Sequence, residues 1–242
     1  MNTIPKVIHY CWFGGKDKPQ LIGECINSWK ENLPDYKIIE WNEKNFNIEE
    51  FDFSKKAYNA KKWAFVADYC RIWVLYNYGG IYLDTDMEVL KSLDEFIKNE
   101  SFAGIERDQI INAAILGAKA KNEFIKKIIN YYDDIDFMDY IDDLEKIAIP
   151  NIITELAAHE GYMGNKKIEN VRNIITIYSK EYFYPKNHSW ERADITKNTY
   201  TIHHYEGSWR SKTKIGKSKF KQILINIFGY ERIIKLTEKF NK

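Results

Sequence analysis

Two rhythms of apolar and polar residues run through this chain. Residues 4–15 (IPKVIHYCWFGG) are an extended apolar run in which Val7, Ile8 and Tyr10 favour a strand, closed by a Gly-Gly turn. Ile22, Cys25, Ile26 and Trp29 then recur at three- and four-residue steps, which predicts an amphipathic helix over 22–32 that Pro34 and Asp35 break. Residues 36–41 (YKIIEW) read as a second strand. Strand, helix and strand at this spacing imply a βαβ unit and a parallel pair. Residues 42–60 are polar and less regular, consistent with short helices.

The next stretch organises the rest. From Trp63 to Met87 the chain reads WAFVADYCRIWVLYNYGGIYLDTDM. Ala64, Asp68, Arg71 and Leu75 share one helical face, and Gly79 and Gly80 end that helix by accepting left-handed geometry. Ile81, Tyr82 and Leu83 form a short strand that runs into Asp84 and Asp86. Two close acids at the end of a buried strand call for a positive partner, and hard oxygen ligands suit magnesium or manganese. A solvated loop is the plainer alternative. An aspartyl-nucleophile phosphatase would need Thr or Val where Glu88 stands, and a calcium loop would need Gly where Val89 stands.

Beyond the acids, residues 102–105 and 110–116 read as strands, the second carrying one amide, Asn112. Residues 122–132 read as a helix, 133–145 as a solvated acidic helix face, 150–159 as another helix and 173–178 as a strand. His203 and His204 follow a β-prone run, so one ring is expected to pack inward and the other to face out.

The pattern A-x-x-A-D-x-x-R, a Gly-Gly turn and Y-L-D-x-D resembles the sugar-nucleotide-binding core of glycosyltransferase family 32. That family includes the yeast initiating α-mannosyltransferases and many bacterial capsule and surface-polysaccharide enzymes, and the glucosyltransferase domains of large clostridial toxins carry a similar core. I-H-x-x-W-x-G-G resembles the family's opening strand, which gives Trp12 the role of stacking on the nucleotide base. Asn112 matches the Asn of an I-N-Q-G segment at the toxins' donor-sugar site, with Ala113 and Ala114 replacing the Gln and Gly. Residues 200–210 (YTIHHYEGSWR) resemble the family's C-terminal signature. His204, followed by Tyr205, matches the late metal-binding His better than His203 does. Ser208 and Trp209 match the residues that reach the donor diphosphate and glycosidic oxygen.

The resemblance implies a GT-A type α/β fold. Residues 1–210 would form a single Rossmann-like nucleotide-sugar-binding domain with a mixed central sheet, followed by a C-terminal helical tail over 211–242. It implies that Asp86 and His204 hold Mn2+ or Mg2+, with Asp84 reaching the ribose, a sugar hydroxyl or the metal through water. Asp68 and Arg71 would grip the donor sugar, and the Trp209 indole N–H would stabilise leaving-group charge. The implied donor is a nucleotide-diphosphate sugar, UDP-hexose ahead of GDP-mannose. The implied acceptor is a glycan or lipid-linked glycan of a surface polysaccharide. The family retains anomeric configuration, and a same-face route is expected unless Glu106, Asp108 or Glu206 acts as nucleophile. Two other functions fit the same residues: a non-catalytic carbohydrate- or nucleotide-binding protein, and a metal-dependent nucleotide-sugar hydrolase.

Charge and composition narrow the setting. A net charge of +1 over 242 residues gives no global field for nucleic acid. Three cysteines without a C-x-x-C pattern and no secretory or membrane-spanning run point to a cytoplasmic protein. Residues 211–242 hold nine Lys or Arg against two Glu, with Phe220, Ile223, Leu224, Ile227 and Phe228 at helical spacing. That tail reads either as a peripheral contact with the anionic inner face of a membrane or as a terminal helix packed on the domain.

Overall fold

A computed structural model describes residues 3–206 of this chain. Ser208, Trp209 and the basic tail over 211–242 lie outside the described residues. The first unit is as expected: β1 (Val7–Cys11), α1 (Gln20–Asn32) and β2 (Lys37–Trp41) form a βαβ crossover, with Ile8 opposite Ile38 in a parallel pair. The chain then passes through α2 (Asp52–Asn59) and α3 (Trp63–Tyr78) to β3 (Gly80–Leu83), which lies parallel to β1 on its other side. β4 (Met87–Val89) leaves the main sheet, and β5 (Ser101–Arg107) and β6 (Ile110–Ala118) return to it as an antiparallel pair. There follow α4 (Glu123–Asp133), α5 (Ile149–His159), β7 (Ile168–Val171), β8 (Ile175–Tyr178), the single turn α6 (Lys180–Phe183) and β9 (Thr201–His203).

The central sheet is mixed and seven-stranded, in the order β2-β1-β3-β6-β5-β8-β7, and β4 pairs with β9 in a small second sheet. Because side chains alternate across a strand, each strand feeds two cores. On one face Tyr82, Leu116 and Ile177 pack with Tyr69, Ile125 and Ile152 of α3, α4 and α5. On the other, Ile8, Ile81 and Ile115 pack with Trp29 of α1, Phe96 and Phe183. No helix among the described residues is long and apolar enough to cross a membrane.

The Gly-Gly turn is required by geometry. Gly79 and Gly80 have φ of +66° and +114°. A Cβ on Gly80 would sit 2.7 Å from the Val7 carbonyl oxygen and 2.8 Å from His9 Nε2. Only glycine lets β3 lie this close to β1.

His9, buried in the fold, latches that same junction. Trp41 Nε1 donates to its Nδ1 at 3.0 Å, so the proton sits on Nε2, 2.9 Å from the Gly79 carbonyl. Burial pushes His9 down to about 4, the Gly79 bond acting in the opposite direction. Its pKa is therefore lower folded than unfolded, and the unfolded chain binds the extra proton as pH falls from about 6.5 to about 4. Stability is thus complete above that window and falls through it, by up to about 3 kcal/mol from this residue alone. Urea midpoints at about pH 7 and about pH 4.5 should converge in His9→Gln relative to the parent protein. Equal pH slopes in the two proteins would show that His9 is not the titrating latch.

Two segments depart from the sequence expectation. β7 shows no apolar alternation because its pattern is inverted: Ile168 is exposed, while Glu169 is buried and accepts from the Met163 and Gly164 amides at 3.0 Å each. The acidic stretch 133–145 continues α4 only to Asp133 and otherwise holds a 3-10 turn at Phe137–Tyr140, with a second at Leu144–Ile147. Phe137 and Ile147 anchor these turns in the core and prevent a continuous surface helix.

Candidate active site

β1 has α1 and β2 on one side and the α3–β3 connection on the other, so consecutive crossovers leave it in opposite directions. In open α/β sheets the crevice beyond the strand ends at such a switch point is where ligands bind. Both acids and Trp12 are delivered there.

Leu83 ends β3, and the Asp84 amide donates to the Ala114 carbonyl at 2.8 Å. The Met87 amide then donates to the Asp84 carbonyl at 3.0 Å, a tight turn that presents Asp84 and Asp86 together. β4 starts at once and pairs antiparallel with β9, which places His203 opposite Met87. His203 Nε2 lies 3.2 Å from Asp86 Oδ1. The other Asp86 oxygen accepts from the Glu206 amide at 2.9 Å, and the Asp86 carbonyl accepts from the His204 amide at 3.0 Å. Asp84, Asp86 and His203 each offer a ligand atom, all within 4.8 Å of one another. His203 Nδ1 is buried with no hydrogen-bond partner.

The histidine at the acids is therefore His203, where the sequence favoured His204. Alternation along β9 sends the two rings opposite ways. His204 Nε2 instead meets Glu88 Oε2 at 2.8 Å, and its Nδ1 lies 3.4 Å from Lys186 Nζ. Tyr205 turns the chain with φ of +57°, lays its ring 4.1 Å from that of His203 and donates to the Lys186 carbonyl at 3.0 Å.

Beneath the acids lies a buried charge network. Arg71, 4% exposed, reaches from α3 with Nη2 2.9 Å from Asp84 Oδ1 and 3.2 Å from Asp68 Oδ1. Its Nη1 donates to the Ala113 carbonyl at 2.6 Å, and its guanidinium sits 4.3 Å from the centre of the Tyr82 ring. The Ile149 amide at the start of α5 also favours the Asp68 carboxylate. Burial pushes the Asp68 carboxyl up to about 7 against the pull of Arg71. Burial likewise raises Asp84, with Arg71 opposing and Asp86 reinforcing the rise. Asp86 ends at about 2, because His203 and the Glu206 amide outweigh the burial that opposes its charge. Burial thus dominates at Asp84, and the hydrogen-bonded partners dominate at Asp86.

Other expected site residues are placed as follows. Trp12 follows β1 directly, half-buried, its amide donating to the Trp41 carbonyl at 2.9 Å. Its indole donates to the Lys16 carbonyl at 2.6 Å and has the Lys18 ammonium 5.6 Å from its centre, so it is absent from both cores. Asn112 is held inside the protein: its Nδ2 donates to Glu106 at 2.9 Å and its Oδ1 accepts from the Ala114 amide at 2.8 Å. The amide thus orients Glu106, whose charge, after burial, helps to raise the Tyr205 hydroxyl. Glu88 and Lys186 were not singled out from the sequence. The polar residues that follow Pro185 read only as a loop, and nothing in their spacing signals a buried lysine.

Residues 19–103 match the family described as the glycosyltransferase sugar-binding region containing a DXD motif. That segment is similar to the DXD-containing glycosyltransferases. Asp84-Thr85-Asp86 is its D-x-D, and α3, the Gly-Gly turn and β3 fall within the matched residues. Among curated relatives, inositol phosphoceramide mannosyltransferase 3 of Schizosaccharomyces pombe is 22% identical over 94% of this chain and 66% of its own length. The lactosylceramide 4-alpha-galactosyltransferase of Rattus norvegicus is 26% identical over 62% of this chain and 41% of its own. The chain thus spans less than two thirds of the length of the curated relatives it matches. Among solved structures, the PaToxG glycosyltransferase superposes with a TM-score of 0.56 at 18% identity, covering 66% of this chain and 70% of that one. That likeness bears on the fold, which is of the GT-A type.

Proposed function

We propose that this chain is a metal-dependent, retaining glycosyltransferase that moves a hexose from a nucleoside-diphosphate sugar to a glycan or lipid-linked glycan. The observation that carries the proposal is the cluster of Asp84, Asp86 and His203 at the switch point beside Trp12. Two carboxylates and an imidazole fit Mn2+ or Mg2+, and the buried acid pair fits a bound cation better than a solvated loop. A cation held there neutralises charge on the departing diphosphate. The protein supplies the rest. The Glu206 amide fixes one Asp86 oxygen while His203 meets the other, and Arg71 holds Asp84 from below. Relatives named for inositol phosphoceramide and lactosylceramide support a lipid-linked acceptor.

Asp68 and Arg71 are already bonded to one another, and the Ile149 amide favours the Asp68 carboxylate as well, so we assign them to shaping the donor pocket. The acceptor hydroxyl is expected to enter on the face the diphosphate leaves and to pass its proton to that phosphate, which retains configuration. Glu106, oriented by Asn112, is the acid among the described residues best fixed to serve a covalent alternative.

The test is a thermal-shift panel of UDP-glucose, UDP-galactose and GDP-mannose, each with and without Mn2+, followed by turnover with glycolipid acceptors. One donor should raise Tm only with the metal, and its sugar should reach the acceptor with its anomeric configuration retained. A donor hydrolysed equally fast with and without acceptor would show a hydrolase. Stabilisation by no sugar nucleotide would sink the proposal.

Trp12 gives a narrower check. Its half-buried ring follows β1, the strand next to the one that runs into the acids, which suits a nucleobase, and stacking of this kind is worth about 1–3 kcal/mol. Trp12→Ala should raise the donor KM roughly tenfold or more with little change in kcat. An unchanged KM in a folded variant would assign Trp12 to loop structure alone.

A further inference from the structure

Lys186 is a buried lysine, 7% exposed, on the loop between α6 and β9. Its ammonium feels Glu88 and Asp86, yet no carboxylate among the described residues comes within 4.0 Å of it. Its one hydrogen-bond contact among the described residues is His204 Nδ1 at 3.4 Å. The direction of that contact is fixed from the far side of the ring. His204 Nε2 lies 2.8 Å from Glu88 Oε2, so the imidazole donates there and its Nδ1 accepts from the ammonium. A lysine carries three N–H donors, and this one uses a single long bond. Two donors therefore remain in a place where charge is costly, and burial holds the Lys186 pKa below its ordinary value.

The surroundings show which side the ammonium serves. Glu88 lies two residues after Asp86, and the His204 amide donates to the Asp86 carbonyl, so Lys186, His204 and Glu88 adjoin the cluster of Asp84, Asp86 and His203 through the Asp86 backbone. Tyr205 pins the Lys186 backbone by donating to its carbonyl, and the Tyr205 ring in turn packs on His203. A buried cation with spare donors, held rigidly beside two acids that fit a metal, has the chemistry of an anion site. A purely charge-balancing lysine would close on Glu88 directly, and here His204 stands between them.

We propose that Lys186 is the protein's own cationic contact to the diphosphate of the donor, placed opposite the metal by the Glu88–His204 pair. The proposal rests on the nucleoside-diphosphate reading of the site. It adds that the phosphates are gripped from two sides, by the cation at Asp84, Asp86 and His203 and by the ammonium of Lys186. His204 and Glu88 are positioning residues in this arrangement.

Calorimetric titration of the whole chain in Mn2+ with UDP, UMP, GDP and GMP tests it. The parent protein should bind one nucleoside diphosphate more tightly than its monophosphate. Lys186→Met should lose tenfold or more in diphosphate affinity, keep its monophosphate affinity within a few-fold, and bind Mn2+ as before by electron paramagnetic resonance. Lys186→Arg should recover part of the loss. If Lys186→Met does not fold, Lys186→Gln, which keeps a donor toward His204 without the charge, carries the same comparison. A diphosphate preference that survives neutralisation of Lys186 overturns this inference and leaves the proposed function standing. A parent protein that binds none of the four nucleotides overturns both.

Discussion

Replacing Asp86 with alanine should abolish sugar transfer. One Asp86 oxygen meets His203 and the other takes the Glu206 amide, so the substitution removes a proposed metal ligand and the anchor of the segment that carries the histidine. His203 would then be buried with neither ring nitrogen paired, since its Nδ1 already lacks a partner. A cation on a phosphoryl oxygen supplies several kcal/mol toward leaving-group charge, so a loss of at least about a thousandfold in kcat/KM is expected. The measurement is turnover of the donor identified by the thermal-shift panel, with Mn2+ affinity determined alongside. Near-parental turnover in Asp86→Ala, or parental activity unaffected by EDTA, would remove the metal from the account.

Arg71→Met is expected to have the largest effect on stability. It deletes the cation shared by Asp68 and Asp84 and leaves the Ala113 carbonyl without its donor. Removing one partner of a buried ionic network costs about 3–5 kcal/mol, because the remaining charge cannot return to water. Asp68, already pushed up to about 7, would take a proton and soften the loss, whereas Asp84 keeps like charge from Asp86. The double change Arg71→Met with Asp68→Asn should therefore recover stability relative to the single variant. Urea midpoints with unchanged slopes decide the matter. A loss under about 1 kcal/mol in Arg71→Met would mean that this network is loosely solvated.

Much of the site's frame could be read from the chain because it is local. The spacing of Asp68 and Arg71 on one helix face, the two glycines and the apolar run into Asp84 are all fixed within the matched segment. The βαβ opening was equally legible, since its periods change cleanly from strand to helix to strand. Contacts made across the sheet were not legible. Whether His203 or His204 meets the acids depends on the register of β4 against β9, and a shift of one residue would exchange them. β7 was hidden because its inward residue is a glutamate satisfied by two amides. Lys186 was hidden because burial of a loop lysine is decided by partners far along the chain.

The pairing of β4 with β9 also bears on how the molecule assembles. The Asp86 side chain and the Glu206 amide that binds it are 120 residues apart, and the donor cluster exists only when they meet. The seven-stranded sheet can form without that meeting, because β9 contributes nothing to it. Closing so long a loop costs entropy, and β9 has only its pairing with β4 in a two-stranded sheet to offset it. On the proposed reading Mn2+ would act as a clasp, fastening the chain's far segment to its middle, and affinity for the ion would become resistance of β9 to opening. Amide exchange at Thr201, Ile202 and His203 should slow on adding Mn2+, while exchange in β1 and β3 stays the same.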